Sequence, residues 1–118
     1  MSDTKTELDL TLEPPGPPAE QRGARRHQIK QRCVVALADS GAGGYTCLTF
    51  NISTDGIGLF LPLPLRAGAE VHIEPLALPG APPLRARVVH RQRLEFAWIC
   101  GCEFLTPLTD AQLAAWLG

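Results

Sequence analysis

Two short polar stretches hold the residues best suited to chemistry in this chain, Arg22-Gly23-Ala24-Arg25-Arg26 and Asn51-Ile52-Ser53-Thr54-Asp55-Gly56. In the first, Arg22 and Arg26 set two guanidinium groups four residues apart. Each is a planar fork of donors that meets phosphate oxygens, or the O6 and N7 edge of guanine, two bonds at a time. In the second, a short amide, a hydroxyl and a turn glycine follow one another at the end of an apolar run, a set able to hydrogen-bond a polar ligand. Each stretch alone has an ordinary explanation, since arginines beside a polar tail are solvated and Asn, Ser and Asp-Gly are turn formers. Together they read as a grip for a compact anion with a guanine face.

The elements that must hold these groups are strands. From Cys33 onward short apolar runs alternate with turn chemistry, the pattern of an all-β domain. Cys33 to Ala38 is a candidate first strand, followed by the loop Asp39 to Gly44 and a second strand from Tyr45 to Ser53. Thr54-Asp55-Gly56 turns the chain into Ile57 to Leu61, and Ala69 to Leu76 makes a fourth strand beyond Pro62, Pro64 and Gly68. In Leu84 to Gln92, Leu84, Ala86, Val88 and His90 alternate with Arg85, Arg87, Val89 and Arg91, which predicts an apolar face carrying His90 and a mostly basic one carrying Arg91. The last strand, Glu95 to Leu105, sets Trp98, Cys100, Cys102 and Phe104 on one side. Thr109 then caps a short helix at Asp110 to Leu117 that docks through Leu113, Trp116 and Leu117. Six short strands on so small a chain leave two exposed edges unless the sheet closes, so a small barrel is expected, with an open sandwich as the alternative.

Composition sets the frame. A chain of 118 residues, 45% hydrophobic, holds one domain with one core. Residues 1–20 combine acidic side chains with Pro14, Pro15, Pro17 and Pro18 and read as a disordered tail, leaving 21–118 as the domain. Net charge is −1, but it is segregated: Asp3, Glu7, Asp9, Glu13 and Glu20 precede a cluster of Arg22, Arg25, Arg26, Lys30 and Arg32. So small a basic cluster suits a compact anion, whereas a nucleic acid polymer asks for a wider face. No apolar run approaches the roughly 20 residues that span a bilayer, and no signal sequence is evident, so a cytoplasmic protein is expected. Cys33, Cys47, Cys100 and Cys102 lie in apolar runs, as reduced core thiols would.

In order and spacing these stretches resemble the PilZ domain, a family of bacterial receptors for cyclic di-GMP. Arg22 to Arg26 is similar to the family's RxxxR element just ahead of the first strand, and Asn51 to Gly56 matches its (D/N)xSxxG element without departure. Gly101-Cys102-Glu103-Phe104 followed by a short amphipathic helix resembles the usual ending, so the likeness covers about residues 20 to 117. It implies a six-stranded antiparallel barrel that binds cyclic di-GMP on its outer surface near the N-terminal arm. It also implies the roles: Arg22 and Arg26 hold phosphate or guanine, Asn51 offers its carbonyl to a guanine N–H, Ser53 offers its hydroxyl, and Gly56 allows the turn that presents both. Arg25 is counted with this ligand-binding set, although solvation alone accounts for it as it does for Lys30 and Arg32. Arg26 with Lys30 is a second register for the basic pair.

The resemblance implies a receptor that orders its arginine-rich arm on binding and signals to a downstream protein effector, as a monomer or homodimer, with motility or exopolysaccharide export and biofilm formation among the family's outputs. Some members of the family bind no nucleotide and act as protein-interaction modules, which is the alternative. No cofactor beyond the ligand is expected. The Cys and His spacing matches no common zinc pattern, and there is neither a P-loop nor a carboxylate pair, so the chain reads as a non-enzyme without a metal.

Overall fold

The computed structural model describes residues 25–39 and 43–118. The proposed tail and Arg22 therefore lie outside the described residues. Six strands follow in order: β1 (His27–Leu37), β2 (Tyr45–Ile52), β3 (Gly56–Leu61), β4 (Glu70–Pro75), β5 (Leu84–Arg93) and β6 (Trp98–Phe104), with one helix, α1 (Asp110–Leu117), after them. All neighbours pair antiparallel, and the sheet closes in the order β1-β2-β3-β6-β5-β4. Closure leaves no strand edge unpaired, which settles barrel against sandwich.

Period-two alternation fills the interior. Cys33 and Val35 of β1, Ile57, Leu59 and Leu61 of β3, Val71 and Ile73 of β4, Leu84, Ala86 and Val88 of β5, and Cys100, Cys102 and Phe104 of β6 form one core. The four cysteines are all buried free thiols, as their apolar settings predict. Cys33 and Cys47 face each other across β1 and β2 with their sulfurs 3.4 Å apart. Burial raises the Cys100 and Cys102 thiols, and the hydrogen bond from its neighbour together with burial raises Cys47.

The helix forms where the cap predicts it. Thr109 Oγ1 accepts from the Gln112 backbone N–H at 3.1 Å, and Gln112 Oε1 accepts from the Thr109 N–H at 2.8 Å, a complete capping box. Leu113 and Trp116 of α1 enter the core, and the Trp116 indole donates to the Pro82 carbonyl at 2.8 Å. Leu117 packs beside them half-buried. The three-residue docking stripe is thus as expected.

Two strand starts differ from those the apolar runs suggest. β1 begins at His27, not Cys33, because His27 and Gln28 pair with Ile52 and Asn51 of β2 and so extend the ladder ahead of the apolar run. Only Ile29 in that stretch packs against the core. β6 begins at Trp98, not Glu95, because a turn closed by the Leu94 N–H on the Ala97 carbonyl at 2.8 Å occupies the intervening residues.

A third difference changes which way side chains point. β5 carries a bulge between Val88 and His90, so His90 pairs with Gly101 and Arg91 with Cys100. His90 thereby leaves the apolar face that simple alternation predicts and joins the outer surface. Arg91 leaves the basic face in exchange: its Nη1 donates to the Leu65 carbonyl at 3.3 Å, and its guanidinium carbon lies 5.8 Å from the centre of the Trp98 ring. Arg85, still outward, is held by Glu70 at 2.7 Å, and that guanidinium lowers the carboxyl's proton affinity.

Candidate functional site

The turn joining β2 to β3 is built by Ser53. Its N–H donates to the Gly56 carbonyl at 2.9 Å, while its Oγ accepts from the N–H groups of Asp55 at 3.0 Å and Gly56 at 3.2 Å. Ser53 is 2% exposed. With two bonds accepted by one oxygen, what the hydroxyl retains for a ligand is its proton as a donor. The turn is also gripped from outside, since the Phe104 N–H donates to the Asp55 carbonyl at 2.9 Å and the Leu108 N–H to the Thr54 carbonyl at 2.8 Å.

Gly56 has a different reason from the one turn chemistry suggests. Positive φ occurs at Gly68, Gly80 and Gly118, and Gly56 is not among them. A Cβ on Gly56 would instead collide with the backbone oxygen of Cys102 on β6. The motif's glycine is therefore required by the close approach of β3 to β6 rather than by the backbone conformation of the turn.

Asn51 reaches the outer surface through a bulge. Cys47 and Thr49 of β2 point inward, and strict alternation would send Asn51 after them. Thr49 pairs with Leu59, however, and Asn51 with Gly58, so Phe50 is the extra residue and Asn51 turns outward. Its Oδ1 accepts from Arg26 Nη1 at 3.2 Å, although Asn51 is only 5% exposed. The carbonyl expected to meet a guanine N–H accepts from the arginine with one lone pair and keeps the other, and the amide NH2 can meet acceptors such as phosphate oxygens or guanine O6 and N7.

Of the residues singled out from sequence, Arg26 and Asn51 are joined directly, and Ser53 with Gly56 forms the turn that follows Asn51. Arg25 is exposed beside Arg26, immediately ahead of β1. Lys30 lies on β1 and is exposed. Arg26 belongs to either register of the basic pair. Arg22 lies outside the described residues.

The surface continues past these residues in a way the motifs do not announce. Asn51 pairs with Gly58, Gly58 with Gly101, and Gly101 with His90, one lateral row across β2, β3, β6 and β5. A Cβ on Gly58 would lie 2.7 Å from Asn51 Oδ1 and 2.5 Å from the Phe50 ring, and one on Gly101 would strike the His90 imidazole. Two glycines on the middle strands thus make room for Asn51 and His90 to lie inward over them from either flank. The signal available in sequence was the pair Gly58 and Gly101, but only the register reveals that they face each other.

Burial, and secondly the positive charge of Arg26, lower the proton affinity of His90 below the ordinary value of 6.5. A group whose folded pKa is depressed takes up its proton more readily in the unfolded chain. The barrel should therefore lose stability as pH falls through 6.5 toward the lower folded value, with no such loss above it. Thermal unfolding of wild type and His90→Asn between pH 7.5 and 5.5 checks this, and the variant should show the shallower decline.

Comparison with known proteins agrees with this architecture. The family model described as the PilZ domain matches residues 20–117. No curated protein matches the chain by sequence. Among solved structures, the inhibitor of motility MotI/DgrA of Bacillus subtilis is similar with a TM-score of 0.62 at 17% identity, over 84% of this chain and 52% of that one. This chain accordingly spans about half the length of MotI/DgrA. The PilZ domain of CeSA from a cellulose-synthesizing bacterium is similar with a TM-score of 0.52 at 22% identity, over 77% of this chain and 89% of that one. These likenesses concern the fold. With the family's match running over almost the whole barrel and its helix, this chain belongs to the PilZ domain family.

Proposed function

We propose that this domain is a cyclic di-GMP receptor that acts by binding rather than catalysis. The observation that carries the reading is the Arg26 to Asn51 hydrogen bond, which joins the basic segment to the end of β2 directly beside the Ser53 turn. A guanidinium ahead of β1 and, from the end of β2 and its turn, an amide with free donors and a buried hydroxyl with one proton to give then converge on one place. Such a set suits a ligand that presents phosphate oxygens and a guanine acceptor edge together. Arg22, Arg25 and Arg26 supply the positive charge, and Asn51, Ser53 and Gly56 the shaped floor.

Binding draws the segment bearing Arg22, ahead of Arg26, onto the barrel and alters the surface offered to a protein effector. Residues from His27 onward already belong to β1, so the change concerns the segment ahead of that strand. The setting proposed is cytoplasmic. Among the described residues, no helix is long and apolar enough to cross a membrane. The receptor functions in this reading as a monomer or homodimer.

Calorimetric titration of cyclic di-GMP into the wild type and into an Arg22→Ala/Arg26→Ala variant tests the reading. Saturable heat from the wild type that collapses in the variant is the expected result. Equal heats from the two would remove the arginines from the site. No heat from a folded wild type would replace the receptor reading with that of an interaction module.

A further inference from the structure

We propose that His90 is a ligand-contacting residue of the same site, its imidazole meeting the guanine base that Arg26 and Asn51 hold. The inference rests on the cyclic di-GMP reading above and extends it to a strand, β5, that carries neither sequence motif.

The argument begins with the backbone. Without the bulge between Val88 and His90 the imidazole would point into the barrel with Val88. The bulge places it outside, opposite Gly101, just as the bulge at Phe50 places Asn51 outside, opposite Gly58. Two independent irregularities thus aim two polar side chains at one another across a pair of glycines. Neighbouring strands lie about 4.8 Å apart, so the row from β2 to β5 spans roughly 14 Å, the scale of a nucleotide.

The side chain itself has unused capacity. His90 is half-buried on Gly101, yet neither ring nitrogen has a hydrogen-bond partner among the described residues. Burial first, and the charge of Arg26 second, disfavour protonation of the ring, and a neutral imidazole offers one N–H donor and one acceptor nitrogen. A neutral ring beside a guanidinium can stack on a purine or bond its edge without adding charge repulsion. A histidine that served only to pack would not need the second nitrogen, the bulge and the facing glycine at once.

The test uses the full chain and cyclic di-GMP. Calorimetry of wild type, His90→Ala and Arg26→Ala should show His90→Ala binding about 5- to 10-fold more weakly than wild type, the loss expected for one hydrogen bond or stacking contact. Affinity of His90→Ala within twofold of wild type, with Arg26→Ala impaired, would overturn the inference and leave the receptor reading standing. No binding by the folded wild type would overturn both. A readout that needs no substitution is the nuclear Overhauser contact between His90 ring protons and the ligand in the wild-type complex. Its presence is expected, and its absence from a saturated complex would overturn the assignment.

Discussion

Arg26→Ala is expected to weaken cyclic di-GMP binding by between about 10- and 150-fold, the range corresponding to a lost hydrogen bond to a charged group. The substitution removes the guanidinium proposed to meet the ligand and also the donor that fixes Asn51 Oδ1, so the amide loses its orientation. Arg26→Lys separates the two effects. An ammonium keeps the charge but not the fork, so it should recover only part of the loss. Thermal unfolding should change little for either variant, because Arg26 precedes β1 and stands outside the core. Calorimetry decides the matter: affinities of all three proteins within twofold of one another would detach Arg26 from ligand binding.

Gly56→Ala is expected to destabilise the barrel by about 2–3 kcal/mol, the cost of forcing an atom into close-packed structure. The atom it meets is a backbone oxygen, that of Cys102, so no side-chain rotation relieves the contact and β3 must move away from β6. Gly43→Ala is the matched control, since nothing lies within 4 Å of a Cβ there. Its change should stay within about 0.5 kcal/mol. Urea denaturation of the two variants against wild type measures the difference. A Gly56→Ala midpoint equal to that of Gly43→Ala would mean that the strands separate at negligible cost.

These expectations divide along the line between what residue order reveals and what register reveals. The barrel, the terminal helix and its Thr109 cap follow from local signals, because alternation, turn residues and capping chemistry act over a few positions. Asn51 was recognisable from its motif, but its partner Arg26 is 25 residues away, and their bond depends on the Phe50 bulge that turns the amide outward. His90 illustrates the limit more sharply. A period-two reading assigns it to the wrong face, because a single extra residue at the Val88 bulge reverses every side chain beyond it. Gly56 reads as a turn residue until the β3 to β6 pairing shows what stands against it. Bulges and close approaches arise from non-local pairing, and no local pattern encodes them.

The grip on the Ser53 turn has a consequence for the order in which the protein is made. The turn's carbonyls are held by the N–H groups of Phe104 and Leu108, and Gly58 lies beside Gly101, so the site is assembled from pairings that span about half of the described chain. Contacts so distant in sequence form late, after the intervening loop has been closed. During synthesis, Arg26 and Asn51 emerge from the ribosome well before the residues that complete their surroundings. A nascent chain therefore carries the motifs before it carries the surface they share, and the proposed site is complete only with the last strand and the segment leading into the helix.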